Sequence, residues 1–172
     1  PGASFRVGVH YELLKKWHIY WVHPGSTGKP TKLSLKASSG VTFGSIQMPA
    51  PTFFPGPEGA GIWTNGYEKE VLFFAQASVP KDVKAGDVIT IDASSKWLAC
   101  DENCLPENNA KMVLSVTVGD KTVSNDRQAA FDATSKRVPQ ANDKLGLTTK
   151  LTPENPGGKT KWTYEATFSW KD

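Results

Sequence analysis

No stretch of this chain approaches the 18 or more consecutive apolar residues of a membrane-spanning helix. Nor is there a basic cluster. Lys+Arg number 20 and Asp+Glu 17, a formal net charge of +3, and the lysines are scattered singly. That is an ordinary solvated surface, and it argues against nucleic acid or anionic lipid as a partner. The opening residues carry no signal peptide, so an exported protein would be represented here by a mature or trimmed form. There is no internal repeat and no low-complexity segment. Cysteine is nearly absent, with two in 172 residues, and two do not decide the redox compartment. No CxxC pair and no nearby histidine complete a soft metal site around them. No metal is expected.

What is present suits a packed β domain. Hydrophobic residues make up 38% of the chain, with 6 Trp, 8 Phe and 4 Tyr, enough for a core. The length fits one domain, or a domain plus an extension. Phe5, Val7, Val9, Tyr11 and Leu13 alternate with Ser4, Arg6, Gly8, His10 and Glu12, the period of a half-buried strand. Lys15-Lys16 makes a turn. Trp17 to His23 is bulky on both faces, which predicts a central strand covered on both sides. Pro30 to Lys36 and Val41 to Gln47 are further short strands. Prolines 49, 51, 55 and 57 make the next segment an edge or a long loop, continuing to Tyr67. Val71 to Val79, Val88 to Ala93 and Lys111 to Val118 complete the strands. Short strands with turn signals every eight to twelve residues predict an all-β, immunoglobulin-like β-sandwich. The tail reads as a short helix, capped by Ser124 or Asn125 and running to Lys136, then a hairpin of Leu145 to Leu151 and Lys161 to Trp170. The division expected is 1–122, an immunoglobulin-like domain that holds both cysteines, and 123–172, a helix plus β-hairpin extension packed on the sandwich or starting a second domain.

The cysteines sit in Trp97-Leu98-Ala99-Cys100-Asp101-Glu102-Asn103-Cys104-Leu105-Pro106-Glu107. On one straight strand Cys100 and Cys104 would be about 13 Å apart, beyond the roughly 7 Å limit for bonded Cα atoms. Asp101-Glu102-Asn103 are turn formers. A reversal there sets the cysteines opposite each other at about 4.5–5.5 Å; one helical turn would also bring them into reach. A loop of about five residues stabilises by only about 2 kcal/mol in the chain-entropy model, against about 4 to 5 for a very long loop. Such a bond is a poor staple, and tight or exposed disulfides are the labile ones. The redox reading is favoured. A structural bridge and two unrelated free thiols remain as alternatives.

Several pieces together resemble a known family. Gly8-Val9, Trp17-His18-Ile19-Tyr20-Trp21 and His23-Pro24-Gly25-Ser26-Thr27-Gly28-Lys29-Pro30 resemble its opening, GWHxYWxNPGDSGxPP. Ile46 to Pro51, Gly66 to Leu72 and Trp97 to Glu107 follow in the family's order, over roughly residues 5 to 118. The family is the N-terminal periplasmic domain of DsbD-like thiol:disulfide interchange proteins, particularly the ScsB-like branch linked to suppression of copper sensitivity.

The resemblance implies a domain in the bacterial periplasm, attached to an inner-membrane protein and needing no cofactor. A membrane-embedded domain and a thioredoxin-like domain of the same parent protein would reduce it. It would then reduce periplasmic thioredoxin-fold, disulfide isomerase-like proteins. By resemblance Cys104 forms the mixed disulfide with the partner and Cys100 resolves it. His18 and Tyr20 match strand positions beside the cysteines, where they would tune thiolate fraction or donate a hydrogen bond. A cap loop would fall within Trp63 to Glu68, but Thr64, Asn65 and Gly66 replace the acidic residues and phenylalanine of the better-known pattern. Trp63 or Tyr67 is then expected to shield the sulfurs. Asp101, Glu102 and Glu107 are not cast as activators, because nearby negative charge raises a thiol's pKa. A non-catalytic binding module with a structural disulfide and a copper-handling module stand as alternative functions.

Overall fold

The structure, a computed structural model, describes residues 2–120, 127–140, 147–154 and 161–168. The alternating opening segment is strand β1 (Ser4–Glu12), and it pairs antiparallel with β7 (Glu70–Ser78) from Ser4↔Ser78 to Glu12↔Glu70. A two-residue strand β4 (Thr42–Phe43) joins the other edge of β7. The expected strand over Val41 to Gln47 is thus shorter, extended only by an isolated bridge of Gln47 to Phe74.

The second sheet is built on β8 (Val88–Cys100). Along one edge β8 pairs with β3 (Lys32–Ala37) and then, at its last two residues, with β2 (His18–Gly25). Along the other it pairs with β9 (Cys104–Thr117) for almost its whole length. On the far side of β2 come β6 (Trp63–Glu68) and the edge strand β5 (Thr52–Pro55). The two sheets form an immunoglobulin-like β-sandwich, and β2 is interior to its sheet, as its bulky faces require.

The proline-rich stretch, read as an edge or a long loop, contains a β5–β6 hairpin with β5 at the sheet's edge, and its continuation to Tyr67, read as loop, is strand β6. Edge position reconciles this with its composition, because a proline there breaks no ladder between interior strands.

Two apolar clusters fill the space between the sheets. Tyr11, Ile19, Leu33, Tyr67, Val71, Phe73 and Ala93 form one; Val7, Val41, Ala77, Val83, Ile89 and Ile91 form the other. Phe73, Ile19, Ile89 and Ile91 are fully buried, each contributing about 1.5–3 kcal/mol of transfer free energy. The Tyr11 and Ser95 hydroxyls lie 2.6 Å apart in this interior, and Ser95 Oγ donates to the Lys32 carbonyl at 3.0 Å.

The helix, α1 (Gln128–Ser135), has no side-chain cap hydrogen bond at its N-cap, Arg127; Ser124 and Asn125 lie outside the described residues. It covers the outer face of the β1–β7 sheet. Phe131 packs edge-on against Phe74, with the Arg6 guanidinium 5.2 Å from its ring centre and 2.7 Å from Asp132. Residues 1–138 form one compact unit and 139–172 a second. In the second, β10 (Leu147–Glu154) and β11 (Lys161–Phe168) pair antiparallel from Leu147↔Phe168 to Glu154↔Lys161. Residues 145, 146, 169 and 170 of the expected hairpin, and most of its turn, lie outside the described residues.

Candidate functional site

The site is the closed end of the β8–β9 hairpin. Asp101-Glu102-Asn103 form the reversal, with the Asp101 N–H donating to the Asn103 carbonyl at 3.0 Å and the Asn103 N–H to Asp101 Oδ1 at 2.9 Å. The turn sets Cys100 directly opposite Cys104, Cα atoms 4.2 Å apart, and the two are joined as a disulfide.

Their surroundings differ. Cys100 is 3% exposed, whereas Cys104 and its neighbours Leu105 and Pro106 are exposed. Along β8, residues 89, 91, 93, 95, 97 and 99 face the core, so Cys100 lies on the outer face with residues 88 to 98 of even number. Val88, Asp92 and Lys96 there are exposed, and Thr90, Ser94 and Leu98 are half-buried. Cys100 alone of this row is buried.

A β-bulge lets both halves of the hairpin keep their faces. Ser95 pairs with Ala110 but Trp97 with Glu107, so β9 carries one extra residue between these pairs. The extra residue switches parity. Leu105 and Met112, seven apart, both lie on the core side, while Cys104 is held on the outer side with Cys100.

The row continues across the sheet. His18 on β2 is opposite Cys100, and Glu68 on β6 is opposite His18. Glu68, His18, Cys100 and Cys104 thus form one cross-strand line, and directly opposed side chains have Cβ atoms about 4.5–5.5 Å apart. Tyr20, two residues along the same face of β2, has its hydroxyl 3.1 Å from His18 Nε2, with the rings edge-to-face. Phe54 of β5 packs against the imidazole at 5.8 Å between ring centres. Tyr20 is buried under the loop after β2. Gly28, at φ +90°, lies so close to the Tyr20 ring that a Cβ there would overlap it.

Burial pushes the His18 imidazole below its ordinary pKa, while the Glu68 and Asp101 carboxylates pull it upward. The Tyr20 hydroxyl is raised by burial.

The structure brings four of the six expected site residues together: Cys100, Cys104, His18 and Tyr20. Trp63 and Tyr67 lie elsewhere. Tyr67 pairs with Ile19 on the core face, where its hydroxyl donates to the Pro49 carbonyl at 2.7 Å and its ring packs on Phe73. It is on the opposite side of the sheet from the sulfurs. Trp63 is five residues along β6 from Glu68, roughly 16 Å at strand rise, stacked on exposed Phe53. The aromatic beside the cysteine row is instead Phe54. Phe54 is not legible as a site residue from the sequence, because the prolines of its segment fit an edge or a long loop equally, and Glu68 is legible only as the end of the expected cap.

On the core side of the hairpin an apolar groove of about 530 Å³ runs between Leu13, Leu14 and Trp17 and the hairpin residues Trp97, Leu105 and Met112. Leu14 and Leu105 are 77% and 60% exposed. Among the described residues no group of three or more His, Cys, Asp or Glu is arranged to hold a metal ion, and no helix is long and apolar enough to cross a membrane.

With a disulfide at a strand reversal on a sandwich, the family can be assigned. The profile of the thiol:disulfide interchange protein DsbD, N-terminal family, matches residues 1–115. The chain belongs to this family. Among solved structures, the N-terminal periplasmic domain of ScsB from Proteus mirabilis matches over 99% of this chain and 77% of its own, with a TM-score of 0.55 at 16% identity. At that identity the likeness is one of fold. The reduced DsbD N-terminal domain of Neisseria meningitidis matches over 65% of this chain and 76% of its own, at 12% identity and a TM-score of 0.37. No curated protein matches the chain. A DsbD N-terminal domain with a Cys pair at bonding distance is consistent with thiol–disulfide exchange.

Proposed function

We propose that this domain is a thiol–disulfide reductase module. It would pass reducing equivalents from a membrane-embedded or thioredoxin-like donor of a larger protein to thioredoxin-fold partners in the bacterial periplasm. The observation that carries this reading is the asymmetry of the pair: Cys104 exposed at a turn, Cys100 buried behind it.

Exchange needs one sulfur that a partner can reach and a second that acts from within. In the reduced domain the Cys104 thiolate attacks a partner disulfide, and one partner sulfur leaves as thiolate. Cys100 then attacks Cys104 Sγ in the mixed disulfide. The Cys100–Cys104 bond forms, the second partner sulfur departs, and the partner has gained two electrons. The donor reverses these steps on the domain. Exposed Leu105 next to Cys104, and the groove beside it, offer apolar surface to a protein partner. The electrons are carried by the two sulfurs alone.

The deciding measurement is the reduction potential of the pair, by equilibration with glutathione and alkylation of free thiols. A value within about −270 to −180 mV, the span from thioredoxin to disulfide isomerase, is expected of a carrier. A value below about −300 mV marks a structural disulfide and would end this assignment.

A further inference from the structure

We propose that His18 is the proton acceptor for Cys100 when the mixed disulfide is resolved, with Tyr20 as the residue that positions it. The proposal rests on the exchange reading above and adds the identity of the group that makes Cys100 a nucleophile.

Three structural observations converge on His18. First, the nucleophile of resolution is a thiolate, yet Cys100 is 3% exposed. Burial away from water disfavours the charged form of a thiol, so a buried Cys100 needs a local group to take its proton. Second, the register gives that group. His18 is directly opposite Cys100 on the same face of the sheet, the one histidine in the cysteine row. Third, the imidazole is fixed. Tyr20 Oη is 3.1 Å from Nε2, and Phe54 packs on the ring. With Nε2–H donating to the Tyr20 oxygen, Nδ1 is left as the acceptor.

The groups facing His18 are few. Glu68 comes from β6, Asp101 from the turn after β8, Cys100 from β8 and Tyr20 from its own strand. Burial keeps the imidazole neutral and ready to accept. The two carboxylates favour the imidazolium once it forms, as does the thiolate beside it.

In the step itself the Cys100 Sγ–H bond breaks and its proton goes to His18. The sulfur electron pair attacks Cys104 Sγ. The bond between Cys104 and the partner sulfur breaks, and the partner leaves as a thiolate that takes the proton back from the imidazolium. The cysteine pair is oxidised by two electrons and the partner is reduced by two.

The test uses the whole reduced chain with 5,5′-dithiobis(2-nitrobenzoate) in stopped flow. Each sulfur's reaction releases one coloured thiolate, the first on attack by Cys104 and the second on resolution by Cys100. His18→Gln is expected to leave the first phase unchanged and to slow the second by about 100-fold at pH 7, the lower end of general-base contributions. The gap should narrow only above pH of about 8.5, because a buried thiol ionises unaided later than an ordinary one. Tyr20→Phe should slow the second phase less. An unchanged second phase in His18→Gln overturns the proposal, as does an equal slowing of both phases. The wild-type profile decides independently of any variant's folding. The second phase should rise below pH of about 6.5 and then stay level; a single rise centred near 8.5 or above overturns the proposal. A wild-type chain that releases only one equivalent overturns the exchange reading and this one with it. Two equivalents from wild type with an indifferent His18→Gln overturns this one alone.

Discussion

Cys100 and Cys104 occupy directly opposed positions on the same outer face of β8 and β9, yet Cys100 is buried and Cys104 exposed. The difference predicts an order of reaction. In the reduced chain iodoacetamide should label Cys104 well before Cys100, read by peptide mass after timed quenching. A Cys100→Ser variant should accumulate a mixed disulfide with a thioredoxin-fold partner through Cys104, visible on a non-reducing gel. Cys104→Ser should accumulate none; equal trapping by both variants would erase the assigned roles, and trapping by Cys104→Ser alone would reverse them.

The Tyr11–Ser95 hydroxyl pair ties β1 to β8 across the core. Tyr11→Phe removes one partner, while Ser95 Oγ keeps its bond to the Lys32 carbonyl. The expected cost is about 1 kcal/mol, the usual net worth of an intramolecular hydrogen bond. It would be measured as a lower urea midpoint at unchanged slope. Ser95→Ala should cost more, because it strands both the Tyr11 hydroxyl and the Lys32 carbonyl.

Gly28 meets two demands at once, a positive φ and close contact with the Tyr20 ring. Gly28→Ala should therefore destabilise by more than about 1 kcal/mol. It should also displace Tyr20 from His18. Chemical shifts of the His18 ring in the variant would report that displacement, and an unmoved ring would show that the loop does not hold Tyr20.

Stability should depend on pH through His18. Its pKa in the fold is below the ordinary value of about 6.5. Just below that value the unfolded chain binds a proton that the folded chain refuses, so stability falls as pH falls. Comparing urea midpoints at pH 7.5 and 5.5, His18→Gln should lose less than wild type. An equal loss would place the effect on other groups.

The sandwich was legible because its strands alternate. Phe5 to Leu13 shows a period of two, and β1 realises it in its pairing with the largely apolar run of β7. Cysteine spacing and Asp101-Glu102-Asn103 made a reversal legible, with one helical turn as the alternative that the β8–β9 register excludes. Prolines hid the β5–β6 hairpin, since a ring nitrogen forbids a ladder donor but not an edge. Reading that segment as a loop also misplaced Tyr67: as a strand residue beside Gly66 and Glu68 it must alternate with them and point inward. Phe54 needed the pairing of β5 with β6 before its neighbour could be named. The approach of Glu68 to His18 likewise exists only in the register, which no local pattern encodes.

The bulge in β9 has a consequence for how such a domain can change. It divides the hairpin into two independently phased segments, one answering to the sulfur pair and the other to the apolar interior. Substitutions between Cys104 and Glu107 can retune reactivity or partner choice without disturbing the alternation of Ala110 to Val116. Removing one residue at the bulge would instead couple the two. Either Cys104 would be turned to the core side or Met112, Leu114 and Val116 would be turned from the core side to the outer face, so chemistry and folding would then compete for a single register.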